Sequence, residues 1–324
     1  MTQLIHLASV MKKNNLKKIG KFIPILGAAL FIYIIYNIGV DKIANVFVTI
    51  QIQFFILALL IVFLRVFVYT YKWSYICNKM KLTISYLELL KLYLIGIFYA
   101  NLTPGGLGIH FRLFYLRKKT NASIGKCLAN SIIDLETAFI IGLFIGLIGA
   151  IILIDFYPGL FPIILLFLLI HVAILVIFMK KSGGSRFFKI FIRPFIPKKY
   201  REGIDESVEL LYEDMPRLRD MFIPFLIDII IWVIIGTQVY IIALGFSVNI
   251  PYLTFLILHA ISVVAIGIIP ISIGGLGVRE GIFVFLLLPF GVEPEVAFVI
   301  SLSGYIVKAL IPAIFGMFFS LKEK

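Results

Sequence analysis

The chain has 324 residues, of which 61% are hydrophobic, and it carries a formal net charge of +13. Soluble domains are about 45–50% apolar, so this composition excludes an ordinary soluble domain and predicts an integral membrane protein. In a soluble protein the positive charge would raise nucleic acid as a partner. Here the basic residues stand beside apolar stretches and no nucleic-acid-binding motif accompanies them. We therefore expect no nucleic-acid partner, and we attribute the charge to the positive-inside bias and to anionic lipid headgroups.

Apolar stretches of about 20 residues, the length that spans a bilayer as a helix, recur along the chain. Full-length stretches cover residues 22–38, 54–71, 127–154, 161–179, 222–244 and 296–321. Two further stretches, 92–103 and 252–269, each run into a glycine cluster, and a half-length piece at 281–290 follows the second cluster. The pattern predicts an all-α, polytopic integral membrane protein with about six full spans and two re-entrant broken hairpins.

Basic residues assign the sides of the membrane. The N-terminal lysines, the group Lys72, Lys79 and Lys81, and the group at 117–126 are all predicted to be cytoplasmic. The segment 85–115 must then leave and return to the same face, as a re-entrant hairpin does. The mixed-charge loop 180–220 and the C-terminal lysines are also predicted to be cytoplasmic. We expect a multi-pass protein of the cell membrane with both termini in the cytoplasm.

The two glycine clusters share one motif, Gly105-Gly-Leu-Gly and Gly274-Gly-Leu-Gly. We interpret residues 1–324 as one transmembrane domain with an inverted repeat, whose approximate halves are 17–156 and 157–321. The two broken hairpins would then approach the midplane from opposite faces, as in alternating-access transporters. Within the 180–220 loop, residues 187–192 suit an interfacial helix and 201–215 a second, more acidic helix; a solvated linker is the alternative.

Broken helices at membrane depth offer an anion site, because glycines let a ligand approach closely and free N–H groups begin the following half-helix. Arg112 and Arg279 follow the two breaks and could hold a phosphate by bidentate hydrogen bonds. The alternative is that both arginines brace the broken helices against nearby carboxylates. The candidate lipid-binding glycines are Gly105, Gly106, Gly274 and Gly275.

Charged residues within the apolar stretches are functional candidates by default. Asp134 and Asp228 lie about two turns into their spans, and Lys308 lies near the middle of the last one. Glu280 falls in the first turn of a half-helix, where it either caps that helix or pairs with Arg279 or Lys308. These residues line a polar groove in one interpretation and form structural ion pairs in the other.

Motifs for chemistry are missing from the sequence. It has no Walker A loop, no His-Glu-x-x-His, no Gly-x-Ser-x-Gly and no convincing Cys/His metal cluster. We therefore predict no catalytic residue, no metal, no cofactor and no enzymatic activity. His110, inside the first break, is interpreted as a hydrogen-bonded structural residue, and the single histidines His171 and His259 receive no role.

The stretch Pro270-Ile-Ser-Ile-Gly-Gly-Leu-Gly-Val-Arg-Glu280 resembles the signature of the lysylphosphatidylglycerol synthase transmembrane (flippase-like domain) family. Asn101-Leu-Thr-Pro-Gly-Gly resembles that family's upstream motif, which adds Asn101 to the candidate binding residues. The resemblance implies a membrane module related to the lipid-translocating part of bacterial multiple peptide resistance factors. Similar modules accompany enzymes that act on polyprenyl-phosphate sugars. The soluble aminoacyltransferase domain of the resistance factors is lacking here, so the resemblance does not imply lipid lysylation.

Three departures from the family concern the headgroup chemistry. Leu107 and Gly108 stand where members often carry an acidic residue, and no arginine flanks Asp134. Lys308 replaces an arginine that is common in the last span.

The leading hypothesis is a lipid flippase or transporter that moves an anionic or aminoacylated phospholipid, or a polyprenyl-linked lipid, between leaflets. One alternative is a secondary transporter of a small anion or other solute. Another is a non-catalytic membrane scaffold for a lipid-modifying enzyme. The expected partner is a membrane lipid, either an anionic phospholipid or a polyprenyl-phosphate lipid. A homodimer and a partner lipid-modifying enzyme stay open.

Overall fold

The computed structural model describes residues 29–187, 190, 208–212, 214–269 and 272–323. The N-terminal lysines, Pro270 and most of the helices predicted over 187–192 and 201–215 lie outside these described residues. The α-helices in the described part are α1 (Ala29–Ile38), α2 (Val40–Val48), α3 (Ile52–Lys79), α4 (Tyr86–Asn101), α5 (Arg112–Thr120), α6 (Ile124–Ile152), α7 (Leu160–Met179), α8 (Lys181–Phe187), α9 (Phe222–Gly245), α10 (Tyr252–Ile268), α11 (Val278–Leu287), α12 (Pro294–Tyr305) and α13 (Ile311–Lys322).

Five helical segments of the described chain are long and apolar enough to cross a membrane: Ile52–Lys79, Ile124–Ile152, Leu160–Met179, Leu218–Gly245 and Pro294–Lys322. The bent pair α1 and α2 makes a sixth candidate. This confirms the prediction of an all-α polytopic membrane protein. The bend was not predicted; it is 81°, and it falls at Gly39, whose φ of 99° favours glycine.

The second span extends beyond its predicted end at residue 71, and this overturns one assignment. Helix α3 continues to Lys79, so Lys72 lies inside the bundle and is fully buried, while Lys79 is exposed at the helix end. The prediction that Lys72 is a cytoplasmic charge at the end of the span is therefore wrong. A buried lysine in a helix is tolerated because carboxylates compensate it, and two of them lie beside it, as described below.

Charged residues gather at the end of the bundle where α3 ends and α6 begins, which we call the first end. Asp214 pairs with Lys81 and with Lys126, and Lys79 pairs with Asp220 at 3.0 Å. Hydrogen bonds from the two lysines hold the pKa of the Asp214 carboxyl below its ordinary value. The groups predicted to share the cytoplasmic side thus lie together, and the identity of that side stays a prediction.

The first broken hairpin begins and ends at the first end. Ser85 caps α4 by accepting a hydrogen bond from the Glu88 N–H, and the return arm α5 ends beside it, where Lys119 lies 3.0 Å from Glu88. At 1.5 Å per residue, the 16 residues of α4 measure roughly 24 Å, less than the ~30 Å of a hydrocarbon core. The loop between the arms therefore lies within the bundle.

The second broken hairpin begins and ends at the opposite end. The start of α10 contacts the last turns of α9 through a Thr237–Tyr252 hydroxyl pair at 2.6 Å. The end of α11 lies beside the α6–α7 connection, where the Tyr157 hydroxyl donates to the Leu286 carbonyl at 3.0 Å. The two hairpins thus extend into the bundle from its opposite ends.

Their loops meet inside the bundle. Pro104 and Ile273 form an antiparallel bridge, and the Gly105 N–H donates to the Ser272 carbonyl at 3.3 Å. Each loop has two successive glycines in the left-handed region, with φ between 61° and 76° at positions 105, 106, 274 and 275. Both loops therefore need glycine for the same backbone conformation.

The packing partners of the helices exchange between the two predicted halves. Helix α3 packs against α9, while α4 of the first hairpin packs against α13 and α10 of the second packs against α6. A twofold relation between halves would produce such an exchange. The inverted repeat and its boundaries at 17–156 and 157–321 stay a prediction.

Candidate functional site

A cavity of about 380 Å³ lies where the two glycine loops meet. Helices α3, α4, α10 and α11 and the last span all contribute to its wall. Seven residues predicted from the sequence line it, namely Asn101, Gly105, Gly106, Gly274, Gly275, Arg279 and Lys308. Arg65, Tyr93, Ser272 and Tyr305 add further polar groups.

Arg279 is held at the cavity wall by three contacts. Its guanidinium pairs with Glu280, donates from Nη1 to the Gly274 carbonyl at 2.9 Å, and stacks on the Tyr305 ring at 3.9 Å from the centroid. Glu280 is fully buried and also accepts the Gly277 N–H at 2.7 Å. Glu280 therefore performs both roles considered from the sequence, capping α11 and pairing with Arg279, and it does not line the cavity.

Tyr305 joins the two hairpins across the cavity. Its hydroxyl donates to the Asn101 Oδ1 at 2.7 Å, and the Asn101 amide donates to the Ile97 carbonyl at 2.8 Å. A Cβ built on Gly274 would lie only 2.4 Å from the Tyr305 hydroxyl oxygen. Glycine at 274 is thus required both by its backbone angle and by the closeness of this ring.

Two further cations line the cavity without a carboxylate. Arg65 donates from Nη2 to the Lys308 backbone carbonyl, and its Nε has no hydrogen-bond partner. No carboxylate of the described residues lies within ion-pair distance of Arg65 or Lys308, and none lines this cavity. Lys308 lies in a π-helical turn, Ile306–Leu310, that interrupts the last span. Such turns are frequent at functional sites.

A narrow chamber adjoins the cavity behind this wall. Its volume is about 10 Å³, the space of roughly one water. Arg279, Tyr305 and Lys308 line both spaces. On the far side lie His259, whose two ring nitrogens have no hydrogen-bond partner, and Ser301, whose hydroxyl also has none.

The remaining predicted residues form a separate network that is closed to the cavity. Lys72 lies 2.9 Å from Asp134 and from Asp228, and Arg112 pairs with the same Asp134. All four side chains are fully buried. Their two positive and two negative charges balance, so this network matches the structural ion-pair interpretation.

Arg112 therefore differs from Arg279. Its guanidinium is fully buried against Asp134 and stacks on the Trp73 ring at 4.2 Å from the centroid, and it does not line the cavity. Of the two roles considered from the sequence, bracing against a carboxylate is the one that this geometry provides for Arg112. A phosphate contact would require breaking a buried pair.

Sequence reasoning missed three residues of these two sites. Arg65 is a charged residue near the middle of an apolar stretch, and that signal alone marks a functional candidate. Lys72 was missed because it lies near an apparent span end. Tyr305 gave no signal, since its role depends on a loop far away in sequence. Within the described ranges no group of His, Cys, Asp or Glu side chains could hold a metal ion.

Comparisons with known proteins agree with the motifs. The chain matches the family described as the lysylphosphatidylglycerol synthase TM region over residues 21–316, which confirms the resemblance seen in the glycine motifs. A UPF0104 membrane protein of Pyrococcus horikoshii is 24% identical over 93% of this chain and 96% of its own length. UPF0104 membrane proteins of Methanocaldococcus jannaschii and Methanothermobacter thermautotrophicus are 21% and 24% identical over 86% and 87% of this chain, and over 87% and 89% of their own lengths.

Proposed function

On the premise that the chain belongs to the lysylphosphatidylglycerol synthase TM family, we propose that it binds the anionic headgroup of a membrane lipid and moves that lipid between leaflets. The headgroup would occupy the cavity where the two glycine loops meet, and the lipid chains would stay in the bilayer. Arg65, Arg279 and Lys308 are the proposed headgroup contacts. The charge balance of the cavity is the observation that carries this proposal.

Among the described residues, three cations line the cavity, and of these only Arg279 has a carboxylate partner, Glu280. Cations at membrane depth are costly unless they are paired or wet. A phosphate oxygen can accept several hydrogen bonds from arginine and lysine together. An anion in the cavity would therefore neutralise the positive charges of Arg65 and Lys308, which have no carboxylate partner among the described residues.

The glycine loops support the same use. Left-handed glycine pairs bring the loop backbone to the cavity wall without Cβ atoms in the way, and Gly106 has open space around it. Since the hairpins extend from opposite ends of the bundle, their meeting point gives a polar position between the two leaflets. A headgroup bound there has left one surface without yet reaching the other.

The experiment is a headgroup-accessibility assay with the protein reconstituted in vesicles that contain a fluorescent anionic phospholipid. We expect the protein to accelerate exchange of the probe between leaflets. Lys308→Gln and Arg65→Gln should each slow this exchange by about tenfold or more, since one charge-assisted hydrogen bond is worth roughly 1.5–3 kcal/mol. Neither change leaves a carboxylate unpaired, so both variants should fold.

Lys118→Gln is the matched control, because Lys118 is a cation at the first end, where it donates to the Glu323 carbonyl at 3.0 Å. It should exchange lipid at the wild-type rate. Exchange that is no faster than in empty vesicles, or exchange that both cavity variants leave unchanged, would refute the proposal. Uptake of labelled inorganic phosphate without lipid exchange would favour the alternative of a small-anion transporter.

A further inference from the structure

A second concave surface, with a volume of about 150 Å³, lies between α3, α4 and α13 on the outside of the bundle. All its lining side chains are apolar, including Val62, Phe63, Phe67, Leu90, Leu94 and Phe315. The three phenylalanines are 45–49% exposed, so the surface opens toward the bilayer. We call it the apolar groove.

The apolar groove continues the cationic cavity along the same helices. On α4, Tyr93, Ile97 and Asn101 line the cavity, while Leu90 and Leu94 line the groove. These positions recur at intervals of three and four residues, which places them on one face of the helix.

The last span is shared in the same way, since Lys308 and Ala309 line the cavity and the groove begins at Ile311. On α3 the two spaces lie side by side, because the cavity residue Arg65 stands between the groove residues Phe63 and Val66.

Along α4 and the last span, the groove lies toward the end where α4 begins and α13 ends. It is longest on α13, where Ile311 and Phe319 are roughly 12 Å apart at 1.5 Å per residue. Half of a hydrocarbon core of ~30 Å is about 15 Å, so the groove covers most of one leaflet's depth beside the cavity.

We propose that the apolar groove holds one hydrocarbon chain of the anionic lipid whose headgroup occupies the cationic cavity. This inference rests on the proposed function and names the lipid, rather than a free anion, as the ligand of the site. A lipid whose headgroup has moved inward from the opposite surface must carry its chains across the midplane. The groove lies where such a chain would arrive.

Chain binding here has an unusual energetic basis. Leaving the bilayer for an apolar groove yields no hydrophobic gain, because lipid tails are as apolar as the groove. The preference of one lipid for the groove must therefore come from its headgroup, which Arg65, Arg279 and Lys308 would hold. Occupancy of the groove should accordingly depend on cations that the chain itself does not touch.

A photocrosslinking experiment tests this dependence. The protein is reconstituted with an anionic phospholipid that carries a diazirine in the middle of one chain, and labelled residues are mapped by mass spectrometry. We expect more labelling at Phe63, Phe67 and Phe315 than at Leu166 and Leu169, which are 57% and 59% exposed on α7. Lys308→Gln should reduce the groove labelling by about tenfold, the factor of one charge-assisted hydrogen bond, and leave the α7 labelling unchanged.

A second variant fills the groove without touching the cavity. Leu90→Trp should reduce groove labelling, and Leu57→Trp, at a position 45% exposed elsewhere on α3, should not. In both variants, glycerol phosphate should still protect Lys308 from an amine-reactive reagent.

Groove labelling that does not exceed that of α7, or that persists fully in Lys308→Gln, would overturn the inference. If glycerol phosphate protected Lys308 of the wild-type protein while either of these results was obtained, the chain site would fail and the headgroup cavity would stand. Loss of the protection as well would count against the proposed function.

Discussion

The Lys72–Asp228 pair allows a direct measurement of how much the closed charge network stabilises the bundle. Lys72 Nζ lies 2.9 Å from Asp228 Oδ1, and both side chains are fully buried. At an effective dielectric constant of 20, two unit charges at that distance attract by about 6 kcal/mol. Desolvation of the charges offsets much of this, and breaking a buried pair by removing one partner typically costs about 3–5 kcal/mol.

We therefore expect Lys72→Met to lower the free energy of unfolding by about 3–5 kcal/mol, because the Asp228 carboxylate would remain buried without its cation. The double variant with Asp228→Leu removes both charges and should recover most of that loss. Arg112 would still compensate Asp134 in the double variant. The sum of the stability losses of the two single variants should thus exceed the stability loss of the double variant by several kcal/mol.

The chain contains its own reporter and its own control for this measurement. Cys77 and Cys127 are free and buried, so a thiol-reactive fluorophore reports unfolding in detergent. Lys79→Met breaks a second lysine–aspartate pair of nearly the same length, 3.0 Å to Asp220, with side chains 40% and 20% exposed. An exposed pair contributes at most about 1 kcal/mol. Equal losses for Lys72→Met and Lys79→Met, or strictly additive losses in the buried pair, would refute the reasoning.

Two predictions concern glycines. A Cβ on Gly316 would lie 2.0 Å from a backbone oxygen of α4, so Gly316→Ala should lower the free energy of unfolding by about 1–3 kcal/mol. Gly146→Ala, whose Cβ meets nothing nearer than 3.7 Å, should instead raise it by up to about 1 kcal/mol, and a loss there would contradict the geometry. In the glycine loops, Gly106→Ala should lower the free energy of unfolding only by the backbone penalty of about 1–2 kcal/mol, whereas Gly274→Ala should lower it further because its Cβ also displaces Tyr305. Equal losses of stability in the two variants would contradict the closeness of that ring.

The fold could be predicted from the sequence wherever one physical signal dominates. Long apolar runs gave the spans, and the paired glycines gave the two breaks, because lipid excludes unsatisfied backbone and leaves little choice of structure. Span ends were less predictable. Helix α3 can continue past residue 71 because Lys72 pairs with Asp134 and Asp228 on other helices. No local sequence pattern indicates such partners.

The site could be predicted in part for the same reason. The glycines stood out through their repeated motif, Arg279 and Lys308 as charged residues near or within apolar runs, and Asn101 through the family resemblance. The division of all the predicted residues between the cavity and the closed network depends on which helices pack together, and spacing within one chain does not specify this. Arg112 and Arg279 each follow a glycine motif, yet Arg112 pairs with Asp134 on the next helix and Arg279 pairs with its neighbour Glu280.

The two sites use charge in opposite ways, and this separates structural from functional residues more sharply than the motifs do. The closed network holds two cations and two carboxylates, so it needs nothing from outside the protein. The cavity holds three cations with one carboxylate partner beside its wall, so among the described residues its charge is uncompensated. Cations inside a membrane protein are costly unless they are paired or wet. The presence of Arg65 and Lys308 at the cavity without a carboxylate partner among the described residues therefore supports the proposal that an anion completes the cavity.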